Sequence, residues 1–96
     1  MTTSDTPDLS ITVYSKPNCS QCDATYRKLD KAGIEYTKVD FTKDPAATAF
    51  VMASGEMSAP VVVTADETWG GFRDGKLSDF IAKVAAAQAN EVLVAA

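Results

Sequence analysis

Two cysteines, Cys19 and Cys22, stand three residues apart, and the 96-residue chain holds no third. Thiols titrate near 8.5, so only a few per cent ionise at neutral pH, and the thiolate is the form that attacks a disulfide. A pair this close can open and close its own disulfide and so carry two electrons. As a staple it is weak, because so small a ring contributes only roughly 2 kcal/mol of loop closure. A small secreted domain carries more bridges, more widely spaced. The pair therefore reads as redox chemistry, with two structural cysteines or half of a metal site as alternatives. A zinc or iron–sulfur site needs more sulfur than one chain holds, hence a dimer or an outside thiol. The chain has no histidine. That excludes Ser-His and Cys-His catalytic pairs and His-ligated metals.

The flanking sequence supplies a strand, a loop and a helix to hold the pair. Leu9–Tyr14 alternates, with Leu9, Ile11 and Val13 on one face. Pro17 keeps Lys16 out of helical angles, so Lys16-Pro17-Asn18 is a loop. Cys22, Tyr26, Leu29 and Gly33 then fall on one helical face. Asn18 or Ser20 fits the N-cap and Gly33 the C-cap. A sulfur at a helix N-terminus meets orphan amide groups that favour the thiolate. Lys16 adds to this where its ammonium lies near Cys19, and Asp23 opposes it. Cys19, at the helix mouth, is expected exposed and attacking. Cys22, on the apolar face, is expected buried and resolving.

Further elements follow. Glu35–Phe41 reads as a second strand, parallel to the first because a helix links them. Asp44-Pro45 opens a second helix with Ala46, Ala49, Phe50 and Ala53 on one face, closing at Gly55. Ala59–Thr64 is a β-branched run typical of a buried strand. Thr68-Trp69 is a short strand. Leu77, Phe80, Ile81 and Val84 mark a final helix. The order is β-α-β-α-β-β-α, an α/β domain over residues 9–88, with a polar leader at 1–8 and a tail or frayed helix end at 89–96.

Two other places invite a functional reading. Pro60 opens a strand, where proline is tolerated. A trans bond is the ordinary expectation, since about 5–6% of X-Pro bonds are cis. A cis bond after Ala59 would leave that residue's backbone free for a substrate strand. The segment Trp69-Gly70-Gly71-Phe72-Arg73 sets the single tryptophan beside a glycine pair. Trp69 reads equally as a docking platform or a rim of the core. Arg73 reads as a partner contact or a solvated charge.

Composition narrows the partners. Hydrophobic residues at 46% and charged residues at 23% fit a globular domain. A chain this size buries roughly 64% of its unfolded surface, enough for one core. A net charge of −4 disfavours a nucleic-acid backbone. The N-terminal residues lack the basic and apolar regions of a signal peptide, and no apolar run reaches a membrane-spanning length. The expectation is a cytoplasmic, monomeric protein without membrane contact.

From about Leu9 to Val84 the chain resembles the NrdH-redoxins, glutaredoxin-like electron donors of the thioredoxin superfamily. The stretches that carry the likeness are ITVYSKPNCSQCDATYRKLDKAGIEY, APVVV and WGGFR. Members have Cys-(Val or Met)-Gln-Cys, Ala-Pro or Leu-Pro before a Val-rich strand, and Trp-Ser-Gly-Phe-Arg-Pro. Gln21 matches, while Ser20, Gly70 and Asp74 stand where the family has an apolar residue, serine and proline. The resemblance implies a thioredoxin fold, with a four-stranded mixed sheet in order 2-1-3-4 and three helices. It also implies a cis Pro60 facing the sulfurs, and a redox-active disulfide with no cofactor. It implies electrons passing from thioredoxin reductase to the large subunit of class Ib ribonucleotide reductase. Glutathione-using glutaredoxins usually place Tyr before the second cysteine, Thr-Val before the proline, and an acid soon after Gly-Gly. This chain has Gln21, Ser58-Ala59 and Phe72-Arg73. A glutathione-dependent glutaredoxin, or a dimeric iron–sulfur or zinc carrier, are the competing readings.

Overall fold

A computed structural model describes the backbone of residues 9–95 and the side chains as far as residue 88. The elements are β1 (Ile11–Ser15), α1 (Ser20–Lys31), β2 (Thr37–Asp40), α2 (Pro45–Ser54), β3 (Val61–Thr64), β4 (Thr68–Gly70) and α3 (Asp74–Ala95). The polar leader expected over residues 1–8 lies outside the described residues. So do Ala96 and the side chains beyond residue 88.

Alternation in ITVYS buries Ile11, Val13 and Ser15 on one face of β1. β1 sits centrally, parallel to β2 and antiparallel to β3, and β3 pairs antiparallel with β4. The sheet order is thus β2-β1-β3-β4, the thioredoxin-type order. Residues directly opposite in an antiparallel pair share a face. Val13 faces Val62, and Val62 faces Trp69. With Ile11, Leu29, Leu77 and Phe80 they form the core beneath α1 and α3. Tyr14 and Val61 pair on the other face, where the Tyr14 ring stacks on Phe50 of α2 at 5.0 Å.

Local chemistry fixes the helix ends. At the end of α1, Gly33 takes a left-handed φ of 72°. Its N–H donates to the carbonyl of Asp30, and the Ile34 N–H donates to that of Leu29. This is the paired closure that glycine permits without a Cβ clash. Asp44 caps α2 by accepting from the N–H groups of Ala46 and Ala47, with Pro45 at the first helical position.

Several expectations need correction. The buried face of α1 is Cys22, Thr25 and Leu29, and Tyr26 is only half buried. α2 buries Ala47 and Val51, not Ala46, Ala49, Phe50 and Ala53. Its sequence, PAATAFVMAS, is apolar nearly all round, so periodicity did not mark the sheet-facing side. β2 is shorter than expected, because the turn at Gly33 delays its pairing with β1 until Thr37.

Trp69 is 2% exposed and lies in the core, so its ring is not an accessible docking platform. The cause is register: opposite Val62, it must point toward α1 and α3. Trp69→Ala should therefore cost about 3–5 kcal/mol in a urea unfolding titration. A loss well below about 1 kcal/mol, the ordinary range for surface positions, would contradict a core position.

Candidate active site

The site forms where three chain segments meet at one end of the sheet. β1 ends at Ser15, and the loop through Lys16 and Pro17 delivers Asn18 in a left-handed conformation, φ 57°. Asparagine tolerates that region better than most residues. That turn sets Cys19 at the start of α1. Cys19, not Asn18 or Ser20, is the N-cap: its Sγ accepts from the Cys22 N–H at 3.1 Å. The carbonyl of Cys19 accepts the first helical bond, from Asp23 N–H at 3.1 Å. A sulfur thus occupies the place where a serine or aspartate oxygen usually sits.

Cys19 and Cys22 are joined as a disulfide. Cys22 is 1% exposed and Cys19 is half buried at the surface. Lys16 lines the hollows on both sides of Cys19, and Ser20 and Asp23 are exposed on the first turn.

The second segment is Ala59-Pro60, whose peptide bond is cis. Pro60 is buried immediately before β3. Tyr14 pairs with Val61, which sets the end of β1 beside this proline. A hollow of about 280 Å³ brings together Lys16, Cys19, Gln21, Met57, Ser58 and Ala59. Among the described residues, the Ala59 backbone makes no hydrogen bond.

The third segment runs from Gly70 to Phe72. The Gly71 N–H donates to the Pro60 carbonyl at 2.8 Å. The Phe72 N–H donates to Gln21 Oε1 at 2.9 Å, across 51 residues of sequence. Gly71 has φ 84°, and a Cβ there would stand 3.0 Å from Gln21 Oε1. A Cβ on Gly70 would lie 2.8 Å from Glu56 Oε1 and 2.9 Å from the Ser58 carbonyl oxygen. The Ser58 backbone cannot yield cheaply at such a distance, so this packing requires glycine at position 70. Arg73 is exposed, and its carbonyl starts α3 by accepting from Leu77 N–H. Asp74 opens α3 and pairs with Lys28 of α1 at 2.9 Å. An exposed pair of this kind is worth about 0–1 kcal/mol.

On the other side of the disulfide is a hollow of about 430 Å³, walled by Cys22, Tyr26, Lys38 and Asp40 among others. The Tyr26 ring stacks on Tyr36 at 5.5 Å. Burial, and then a hydrogen bond to the Asp30 carboxylate, push the Tyr36 phenol up to about 12. The Thr42 hydroxyl bond holds the Asp40 carboxyl below its ordinary value. Among the described residues no group of three Cys, Asp or Glu side chains is placed to hold a metal ion.

With that geometry in view, relatives are decisive. The glutaredoxin family's sequence pattern matches residues 11–69. The glutaredoxin-like protein NrdH of Salmonella typhimurium is 40% identical over 65 residues, 68% of this chain and 80% of that protein. The chain belongs to the glutaredoxin-like NrdH family. The NrdH protein of Lactococcus lactis subsp. cremoris is 32% identical over 68 residues, covering 71% of this chain and 94% of its own. The solved structure of Escherichia coli NrdH-redoxin superposes with a TM-score of 0.70 at 31% identity, covering 73% of this chain and 92% of that one. The protein is thus a thiol–disulfide redoxin with its Cys-x-x-Cys disulfide at Cys19–Cys22.

Sequence reasoning had singled out Gln21, but not its bond to Phe72. It also passed over Met57, 96% exposed beside Ala59, and Tyr26 and Lys38 as walls of the second hollow. A large apolar residue in the loop just before an Ala-Pro pair was the available sign for Met57.

Gln21 lies between the two cysteines, and its side chain links that turn to the Phe72 backbone. Gln21→Ala should remove about 1 kcal/mol of stability and speed hydrogen exchange at the Phe72 amide above all others. Unchanged exchange at Phe72 would show that the bond does not hold the loop.

Proposed function

We propose that this NrdH-family redoxin draws electrons from thioredoxin reductase and passes them to the large subunit of class Ib ribonucleotide reductase. Cys19 attacks the partner disulfide and forms a mixed disulfide. Cys22 then attacks Cys19, releases the reduced partner and closes the disulfide. The dithiol loses two electrons, and the partner gains two electrons and its protons. A reducing compartment, the cytoplasm, suits a dithiol that must be recharged.

The observation that carries this reading is the engagement of Gln21. Its side-chain oxygen is committed to Phe72 N–H, and Ser58-Ala59 stand beside it where a glutathione user carries Thr-Val. Few side chains are left to grip a free tripeptide. A protein partner needs less, because the unpaired Ala59 backbone offers main-chain hydrogen bonds to an extended segment. The E. coli relative's structure is described as that of a protein with a thioredoxin-like activity profile, in line with a reductase as electron source. The docking face centres on Cys19, Lys16, Ala59 and the exposed Arg73, with Pro60 and Trp69 buried behind it. Electron-transfer encounters of this sort bury less than about 1,200 Å².

An NADPH-coupled disulfide-reduction assay separates the sources. Turnover should be efficient with thioredoxin reductase and weak with glutathione and its reductase. Arg73→Glu should raise the KM for the reductase several-fold without lowering the unfolding midpoint. Cys22→Ser should trap a mixed disulfide with the substrate, and Cys19→Ser should trap none. Efficient turnover with glutathione alone would favour a glutathione-dependent glutaredoxin instead.

A further inference from the structure

Resolution requires Cys22 to lose a proton, yet Cys22 is 1% exposed and the strand behind it, ITVYS, holds no carboxylate. The 430 Å³ hollow brings Cys22 together with Tyr26, Lys38 and Asp40, polar groups beyond the mouth of α1. Liquid water occupies about 30 Å³ per molecule, so the hollow has room for several. Tyr26 lies one turn after Cys22. Long side chains on a helix lean toward its N-terminus, over the preceding turn. The Tyr26 hydroxyl is buried and has no hydrogen-bond partner among the described residues. The Lys38 Nζ stands 4.5 Å from the centre of its ring.

We propose that this hollow is the proton exit of the resolving thiol, with the Tyr26 hydroxyl and the Lys38 ammonium stabilising the Cys22 thiolate as it forms. The inference rests on Cys22 being the resolving thiol. In the disulfide, sulfur is a poor acceptor and the Tyr26 hydroxyl stays unpartnered. A thiolate is a strong acceptor, reached directly or through one water, so the interaction appears only as charge develops. The proton leaves Cys22 for water in the hollow. The Cys22 sulfur then bonds to Cys19 Sγ, the bond from Cys19 to the partner breaks, and the partner sulfur departs with the electron pair.

The charges facing the hollow act in both directions. Lys16 and Lys38 favour the thiolate, and Asp23 and Asp40 oppose it. Tyr36, stacked on Tyr26, is itself bonded to Asp30 and stays protonated through the working range. Tyr26→Phe keeps the ring and its stacking and removes only the hydroxyl.

The test is stopped-flow reaction of the reduced protein with a symmetrical nitroaryl disulfide whose released thiolate is coloured. Attack by Cys19 releases one thiolate, and resolution by Cys22 releases the second. Tyr26→Phe should leave the first phase unchanged and slow the second about tenfold near neutral pH. The pH midpoint of the second phase should move upward, so the difference fades where Cys22 ionises unaided. Lys38→Gln should shift the midpoint in the same direction, and Asp40→Asn in the opposite one. A second phase unaltered in both Tyr26→Phe and Lys38→Gln would overturn the proposal. Equal slowing of both phases would also overturn it, since that marks a distorted turn rather than a lost proton route. Cys22→Ser is the control for the underlying reading. If it still released the second thiolate, Cys22 would not be the resolving residue, and the assignment of roles would fail instead.

Discussion

The Cys22 N–H points at the sulfur of Cys19 from 3.1 Å, and that contact sets what the site can do. It exists because Cys19 occupies the N-cap, where the orphan amide groups of α1 converge. The same amide that caps the helix is available to a thiolate once the disulfide opens. A hydrogen bond to a charged acceptor is roughly twice as strong as one to a neutral group. Helix start and thiolate stabilisation are therefore one arrangement. The three-residue spacing follows from it, since an N-cap side chain accepts from the second or third residue of its helix. That spacing also places Cys22 on the buried face with Thr25 and Leu29, so one thiol is presented and the other withheld.

The rest of the site closes around that turn through backbone rather than through side-chain bulk. Gly71 bonds to Pro60, Phe72 bonds to Gln21, and Gly70 lies against Glu56 and Ser58 with no space for a Cβ. These contacts tie the end of β4 to the start of β3 and to the first turn of α1. They leave Ala59 with its backbone unpaired among the described residues, next to Cys19 across a shallow hollow. Cys19, the Ala59 backbone and the exposed Met57 thus stand together at one surface. The small, open character of that surface suits a carrier that must leave each partner quickly.

The chemistry was legible because it is local. Cys-x-x-Cys, the strand before it and the amphipathic helix after it lie within about a quarter of the chain, and their periodicities could be read directly. Asp44-Pro45 and Gly55 marked the ends of α2 for the same reason. The sheet order and the cis bond before Pro60 came from family resemblance, not from pattern. What stayed hidden depends on packing between distant segments. The Gln21–Phe72 bond spans 51 residues, and no propensity encodes it. The side of α2 that faces the sheet was ambiguous because nearly every position is apolar or small. Trp69 read equally as a docking platform or a rim of the core, and strand register settled it as core. Tyr26 looked like a core residue by spacing, and its unpartnered hydroxyl emerges only once β2 is folded against α1.

The central claim is that the helix terminus makes Cys19 the reactive sulfur and burial makes Cys22 the reserve. Alkylation of the fully reduced protein at neutral pH, followed in time by peptide mass spectrometry, measures this directly, because only an accessible thiolate reacts quickly. Cys19 should be modified at least about tenfold faster than Cys22. Modification of Cys22 first, or of both at one rate, would contradict the assignment.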